Sequence, residues 1–221
     1  MSESAASQPQ RLYHFTATTF ALDDIRNARL KIAQIADLND PFELRCMDTS
    51  GRNMRWAYDS WREECSARFG VLCFTENWMD ILQWSHYAHR HSGICLGFDV
   101  AGEPGKFGKV TYVDKKDPPP EKPDQEFVWH ALSTKLKVWE YEHEWRVFTT
   151  LEDGVWSDYA GRKLYFADFG KELVLKHVIL GFSNTTSTKE IFDLAGSDVR
   201  VSRVYLADAT FELKLIDCVR P

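Results

Sequence analysis

The sequence predicts an α+β fold: a single domain with a mixed, largely antiparallel sheet and short flanking helices. Three observations carry that reading. Strand-length segments rich in apolar residues recur at residues 71–75 (VLCFT), 93–100 (GICLGFDV) and 173–181 (LVLKHVILG). Helical stripes fall between them at irregular intervals, without a strict βαβ rhythm. The chain has no GxGxxG and no GxxxxGK(S/T), so the usual support for dinucleotide-binding and P-loop folds is missing.

The elements follow in order. Residues 1–10 are small and polar and read as a loose tail. Residues 11–16 (RLYHFT) form a short aromatic strand. A helix over 18–30 has Thr18 or Thr19 as N-cap and a ragged stripe of Phe20, Leu22, Ile25 and Leu30. Residues 31–35 alternate weakly, as a strand does. Residues 38–43 (LNDPFE) form a turn, because Asn and Asp favour local backbone bonds and Pro41 disfavours helix at Asp40. A helix over 54–69 carries Trp56, Trp61, Cys65 and Phe69, and Gly70 ends it. After strand 71–75 come a short helix over 79–89, the strand 93–100 and a further strand at 110–113.

Residues 114–124 (DKKDPPPEKPD) contain four prolines in eleven residues and must be loop or polyproline II. Strand patterns continue on both sides, so this is an excursion within one domain spanning 11–221. A helix over 125–137, strands at 141–150, 163–169 and 173–181, a helix over 187–195 and one or two closing strands within 199–216 complete the chain.

Composition narrows the function classes. The 221 residues are 44% hydrophobic and 14% aromatic, enough to bury a core and incompatible with intrinsic disorder. The formal charge of −6 argues against general coating of nucleic acid. No stretch approaches a membrane span and residues 1–10 carry no secretory signal. Five scattered cysteines without a CxxC read as reduced thiols. The expectation is a soluble, cytoplasmic protein with no membrane partner.

Four constellations can carry chemistry. In strand 11–16, His14 and Thr16 share one face, opposite Tyr13 and Phe15. His14 can hydrogen-bond a ligand there and Tyr13 can stack on a planar one; the plainer reading is a satisfied histidine near a sheet edge. In strand 141–150, Glu142, Glu144 and Arg146 face one way, with Tyr141, His143 and Trp145 opposite. One Glu can pair with Arg146 while the other serves as a base or stabilises a developing cation; the plainer reading is a charged edge strand. His86, His89, His91 and Cys95 match no strong zinc template, so no metal is expected. Asn39 or Asp40 can shape a ligand loop and Glu43 can join a site; the plainer reading is turn chemistry. Cys73 reads as a core residue and no GxSxG is present, so nucleophilic triads lack support.

The order LYHFT, LNDPFE, VLCFTEN, LQWSHYAHRHSGICLGFD, KVWEYEHEWRVF and HVILG resembles a widespread bacterial domain family of unassigned activity, across residues 11–216. More remotely, the chain resembles ADP-ribosyltransferases, which carry an early-strand His or Arg, a middle Ser, Thr or Tyr, and a late Glu-x-Glu. That resemblance implies an ADP-ribosyltransferase-like fold with NAD as a small-molecule nucleotide substrate and an unidentified protein or nucleic-acid acceptor, in a toxin or phage-defence effector. His14 would hold the NAD ribose, with Tyr13, Thr16, Thr75, Tyr87 and Arg146 lining the site. Glu144 would hold the ribose hydroxyl and stabilise the oxocarbenium-like transition state, and Glu142 would orient or activate the acceptor. The sequence has no clear Ser-Thr-Ser element, and which Glu is catalytic stays open. The alternative is a non-catalytic binding or interaction module, to which eight Trp and eight Tyr supply anchors.

Overall fold

The structure, a computed structural model, describes residues 10–51, 54–101, 107–120, 124–151, 155–159 and 161–221. Residues 1–9 of the expected tail and 121–123 of the Pro-rich loop lie outside the described residues. In chain order the elements are β1 Gln10–Thr16, α1 Thr18–Arg26, β2 Arg29–Gln34, α2 Met54–Arg68, β3 Phe69–Thr75, α3 Ile81–Tyr87, β4 Ile94–Val100, β5 Phe107–Lys109 and β6 Thr111–Val113. Then follow α4 Gln125–Leu132, β7 Thr134–Leu136, β8 Glu144–Thr150, β9 Val155–Tyr159, β10 Arg162–Asp168, β11 Leu173–Leu180, α5 Thr188–Ala195, β12 Arg200–Leu206 and β13 Leu213–Asp217. Short 3-10 turns cover Ile35–Asp37 and Lys137–Glu142. The fold is α+β with a mixed, largely antiparallel sheet, as the apolar runs indicated.

The chain divides into two compact units. The first holds residues 1–30, 74–102 and 168–221. Its strands run in the order β13-β12-β11-β4-β1, with the end of β3 beside β1 through Tyr13 and Thr75. Neighbours are antiparallel except β11 and β12, whose crossover is α5. A register shift between Leu175 and His177 puts a bulge in β11 opposite β4. Phe15, Cys95, Ile179, Val204 and Leu213 form one apolar cluster with Trp84 and Ala88. Phe15 meets the Trp84 indole edge-on at 5.0 Å, and the indole N–H donates to the Trp78 carbonyl at 2.7 Å.

α3 is shorter than the sequence pattern suggested. Asp80 caps it by accepting from the Gln83 N–H at 2.9 Å. After Ala88 the backbone turns left-handed through His89, Arg90 and His91, at φ 44°, 54° and 68°. Three such non-glycine residues in a row are costly, so the surroundings must hold them. Asn184 does so by donating to the Ser92 and Gly93 carbonyls at 2.7 and 3.0 Å. The Ser183 N–H donates to the His91 carbonyl at 3.0 Å. Glycine is needed on both sides, because a Cβ at Gly181 would run into the His91 carbonyl and one at Gly93 into that of Thr16.

The second unit holds residues 31–73 and 103–167. β2 and β3 pair antiparallel through Ala33–Val71 and Gln34–Gly70. β8 pairs with β3 and, antiparallel, with β5, while β9 and β10 form a hairpin. β6 and β7 make a separate parallel pair. The core is Ile35, Leu44, Cys65, Val71, Ala131, Leu132 and Phe148, packed by α2 and α4. Asp117, within the Pro-rich loop, is pinned by its N–H to the Cys46 carbonyl at 2.8 Å.

Several expected boundaries move. Gly70 lies inside β3 and does not cap a helix; a side chain there would strike Ile32 and Leu151. The helix expected over 18–30 stops at Arg26, where Ala28 adopts φ 48° and β2 begins. Ala17, not a threonine, occupies its N-cap; Thr18 instead donates to the Ser92 carbonyl at 2.9 Å. The helix expected over 125–137 ends at Leu132, and Lys135 belongs to β7. The strand expected over 141–150 starts at Glu144, because His143 is left-handed at φ 44°.

Candidate functional site

Two sites emerge within the second unit: a buried cluster of charges and an aromatic cavity. The cluster is centred on Arg146, which alternation along β8 turns inward; it is 1% exposed. All five guanidinium N–H groups find acceptors. Nε donates to Glu144 Oε1 at 2.8 Å, and Nη2 donates to Glu144 Oε2 at 3.1 Å and to Glu43 Oε2 at 3.0 Å. Nη1 donates to Glu43 Oε1 and to the Leu132 carbonyl at 2.7 Å. Glu43 is thus brought from the LNDPFE turn into a forked pair with Arg146.

Lys135 is the second cation. Its Nζ donates to Glu142 Oε2 and, at 3.1 Å, to Glu144 Oε2, and lies 4.9 Å from the centre of the Trp139 ring. Lys135, Glu142 and Glu144 are all buried. Burial acts to raise the Glu144 carboxyl, but Arg146 and Lys135 overcome it and hold the group down at about 2. Burial acts to lower Lys135, and Glu144 and Glu142 hold it above the usual lysine range instead. The Cys73 thiol beside Glu144 is pushed well up, first by burial and then by the carboxylate, so it stays protonated. The Glu144 backbone N–H donates to the Tyr112 hydroxyl oxygen at 2.8 Å.

The cavity measures about 580 Å³. Trp61, Phe69, Trp129 and Phe148 supply its aromatic surface, and the exposed Glu64 and Arg68 supply charge. Its rings pack against one another: Trp129 lies 5.5 Å from Phe148 and 6.2 Å from Phe69. Trp61 leans on Phe127 at 5.3 Å, and the Arg68 guanidinium sits 5.5 Å from the Phe69 ring centre. Burial raises the Cys65 thiol, which also lines the cavity, to about 11.

The residues expected to form a site divide between the units. Glu142, Glu144 and Arg146 meet in the buried cluster, with Glu142 supplied by a 3-10 turn and not by the strand. Tyr13, His14, Thr16, Thr75 and Tyr87 belong to the first unit. Tyr13 and Tyr87 pack at the border of the Trp84 cluster. His14 meets Phe74 edge-on at 6.0 Å. Thr75 is buried and accepts from Gln83 Nε2 at 3.2 Å. Cys95, weighed as a metal ligand, is buried in the sheet, while His86 and His89 are exposed. Asp40 accepts from the Phe42 N–H at 2.8 Å, which is turn chemistry.

Sequence reasoning missed Lys135 and the cavity residues Trp129 and Phe148. It also missed a polar chain in the first unit. Ser202 donates to Asp217 at 2.7 Å, so the neutral His177 ring donates its Nε2–H to Ser202 at 2.8 Å. Burial, aided by Arg200 and Arg11, lowers His177 to about 4. The serine sits in the middle with its proton committed to the carboxylate and no exposed surface, so this is not a nucleophile.

No family model, curated protein or solved structure matches the chain. Among the described residues, no helix is long and apolar enough to cross a membrane, and no group of three His, Cys, Asp or Glu residues is placed to hold a metal ion.

Proposed function

We propose that the protein is a small-molecule binding module whose ligand occupies the aromatic cavity of the second unit. The observation that carries this reading is a cavity of about 580 Å³ with four aromatic side chains in its wall. Ligand pockets are commonly about 300–1,000 Å³, mostly apolar, with a few polar groups that fix orientation. The ligand class that fits is flat and largely apolar, stacking on the exposed ring surface. The protonated Cys65 thiol offers contact there and not covalent chemistry. The resemblance to a bacterial family of unassigned activity is compatible with this role.

A planar probe, anilinonaphthalene sulfonate, tests it through probe enhancement and tryptophan quenching. Wild type is expected to bind saturably. Trp129→Ala, and Thr149→Trp as a variant that fills the cavity from β8, should each weaken binding by about tenfold or more, the scale of an interfacial aromatic anchor. Equal binding by all three proteins would exclude the cavity as the binding site.

A second reading, NAD-dependent ADP-ribosyl transfer by His14 and Glu144, draws on one favourable observation: Glu144 is held ionised and fixed, as a carboxylate facing a cationic sugar must be. Against it, both oxygens of Glu144 are engaged by Arg146 and one also by Lys135. A carboxylate already neutralised in this way has little field left for a substrate.

A further inference from the structure

A smaller cavity in the second unit, about 160 Å³, carries a different chemistry. Arg45, Lys115, Lys116 and Lys135 line it, against the single acid Asp114. Phe42, Cys46, Val113 and Leu136 are apolar lining residues, and Thr134 adds a hydroxyl. The cations come from three separate stretches of chain, so their convergence is a product of the fold and not of a local lysine run. This stands out in a chain whose formal charge is −6.

The cations differ in how far they are already satisfied. Lys135 is spent on Glu142 and Glu144. Arg45 lies 3.0 Å from Asp59, and Asp114 lies 3.6 Å from Lys137. Lys116 lies 5.9 Å from the centre of the Phe42 ring, and its charge acts to lower Asp48 and Cys46. Among the described residues neither Lys115 nor Lys116 has a carboxylate within ion-pair distance. Two lysines and a guanidinium around one small cavity provide point charges and a planar fork, the donor set that suits a multiply charged oxyanion.

We propose that this cavity binds a phosphate group. Its volume equals that of roughly five waters, room for one tetrahedral oxyanion and little more. The shared chemistry is a phosphate dianion, either free or at the end of a small molecule. A carboxylate carries one charge and answers less well to Lys115 and Lys116 together, neither of which has a carboxylate within ion-pair distance among the described residues.

The test is calorimetric titration at low ionic strength with inorganic phosphate, glycerol phosphate and acetate. Wild type is expected to bind phosphate saturably at one site, with acetate at least about tenfold weaker. Added chloride should weaken binding, because Lys115 and Lys116 are reached by solvent. The surface variant Lys115→Gln/Lys116→Gln should lose at least about tenfold while keeping its melting temperature and its affinity for the planar probe. Tighter binding of glycerol phosphate assigns the site to the headgroup of a larger molecule; tighter binding of inorganic phosphate assigns it to the free anion. No saturable binding of either at millimolar concentration, or unchanged binding in the double variant, overturns the proposal. Neither result bears on the aromatic cavity, which the probe reads separately.

Discussion

Arg146→Met is expected to lower stability by about 3–5 kcal/mol, the cost of breaking a buried ion pair from one side. Methionine fills most of the volume but leaves Glu43 and Glu144 buried without the guanidinium that satisfies them. The Leu132 carbonyl loses its donor as well. Arg146→Lys should recover only part of the loss, since an ammonium cannot serve two carboxylates and a carbonyl in one plane. Urea denaturation monitored by far-UV circular dichroism measures both. A change below about 1 kcal/mol in Arg146→Met would mean that the cluster is not a structural centre of the second unit. The same arrangement sets an acid dependence. Glu144 is held at about 2, below its ordinary 4.5, so its contribution is fully present above about 4.5 and is lost as pH falls toward 2. Glu144→Gln should flatten that part of the stability profile.

Trp84→Ala should cost about 3–5 kcal/mol through a different mechanism, a cavity in an apolar core. Trp84 is 1% exposed, packs edge-on against Phe15, and its N–H satisfies the Trp78 carbonyl. Its own carbonyl accepts from the His91 N–H at 3.1 Å, at the end of the left-handed segment. Trp84→Phe keeps a ring in the core and loses the indole hydrogen bond. It should therefore cost less, about 1–3 kcal/mol from the unsatisfied carbonyl. Thermal or denaturant unfolding that ranks the two variants in the opposite order would contradict this packing.

The strands that were legible are those buried on both faces. GICLGFDV and LVLKHVILG are mostly apolar, interrupted by Asp99 and by Lys176 and His177, and they became β4 and β11 within one residue of the expected ends. The elements that were not legible are those set by tertiary partners. Lys135 follows a helical stripe in sequence, yet β7 pairs with β6 and draws it into a strand whose lysine neutralises Glu142 and Glu144. β9 (VWSDY) leaves Val155, Trp156 and Tyr159 exposed, and it exists through its hairpin with β10. Within the charge cluster, the facing of Glu144 and Arg146 followed from strand alternation. The partner of Arg146 did not, because Glu43 lies 103 residues away and nothing local points to it. The aromatic cavity was hidden for the same reason: Trp61 and Phe69 were visible as a helix stripe, but Trp129 and Phe148 join them only in the fold.

Glu142 and Glu144 are engaged by Lys135 and Arg146, which suits a structural role and leaves NAD no free carboxylate between them. Calorimetric titration of NAD into wild type, His14→Ala and Glu144→Gln, with released nicotinamide quantified in the same samples, tests this most directly. The expected result is no nicotinamide release and no NAD binding that depends on His14 or Glu144. Saturable NAD binding weakened by His14→Ala, with nicotinamide release abolished in folded Glu144→Gln, would contradict it and establish the transferase reading in its place.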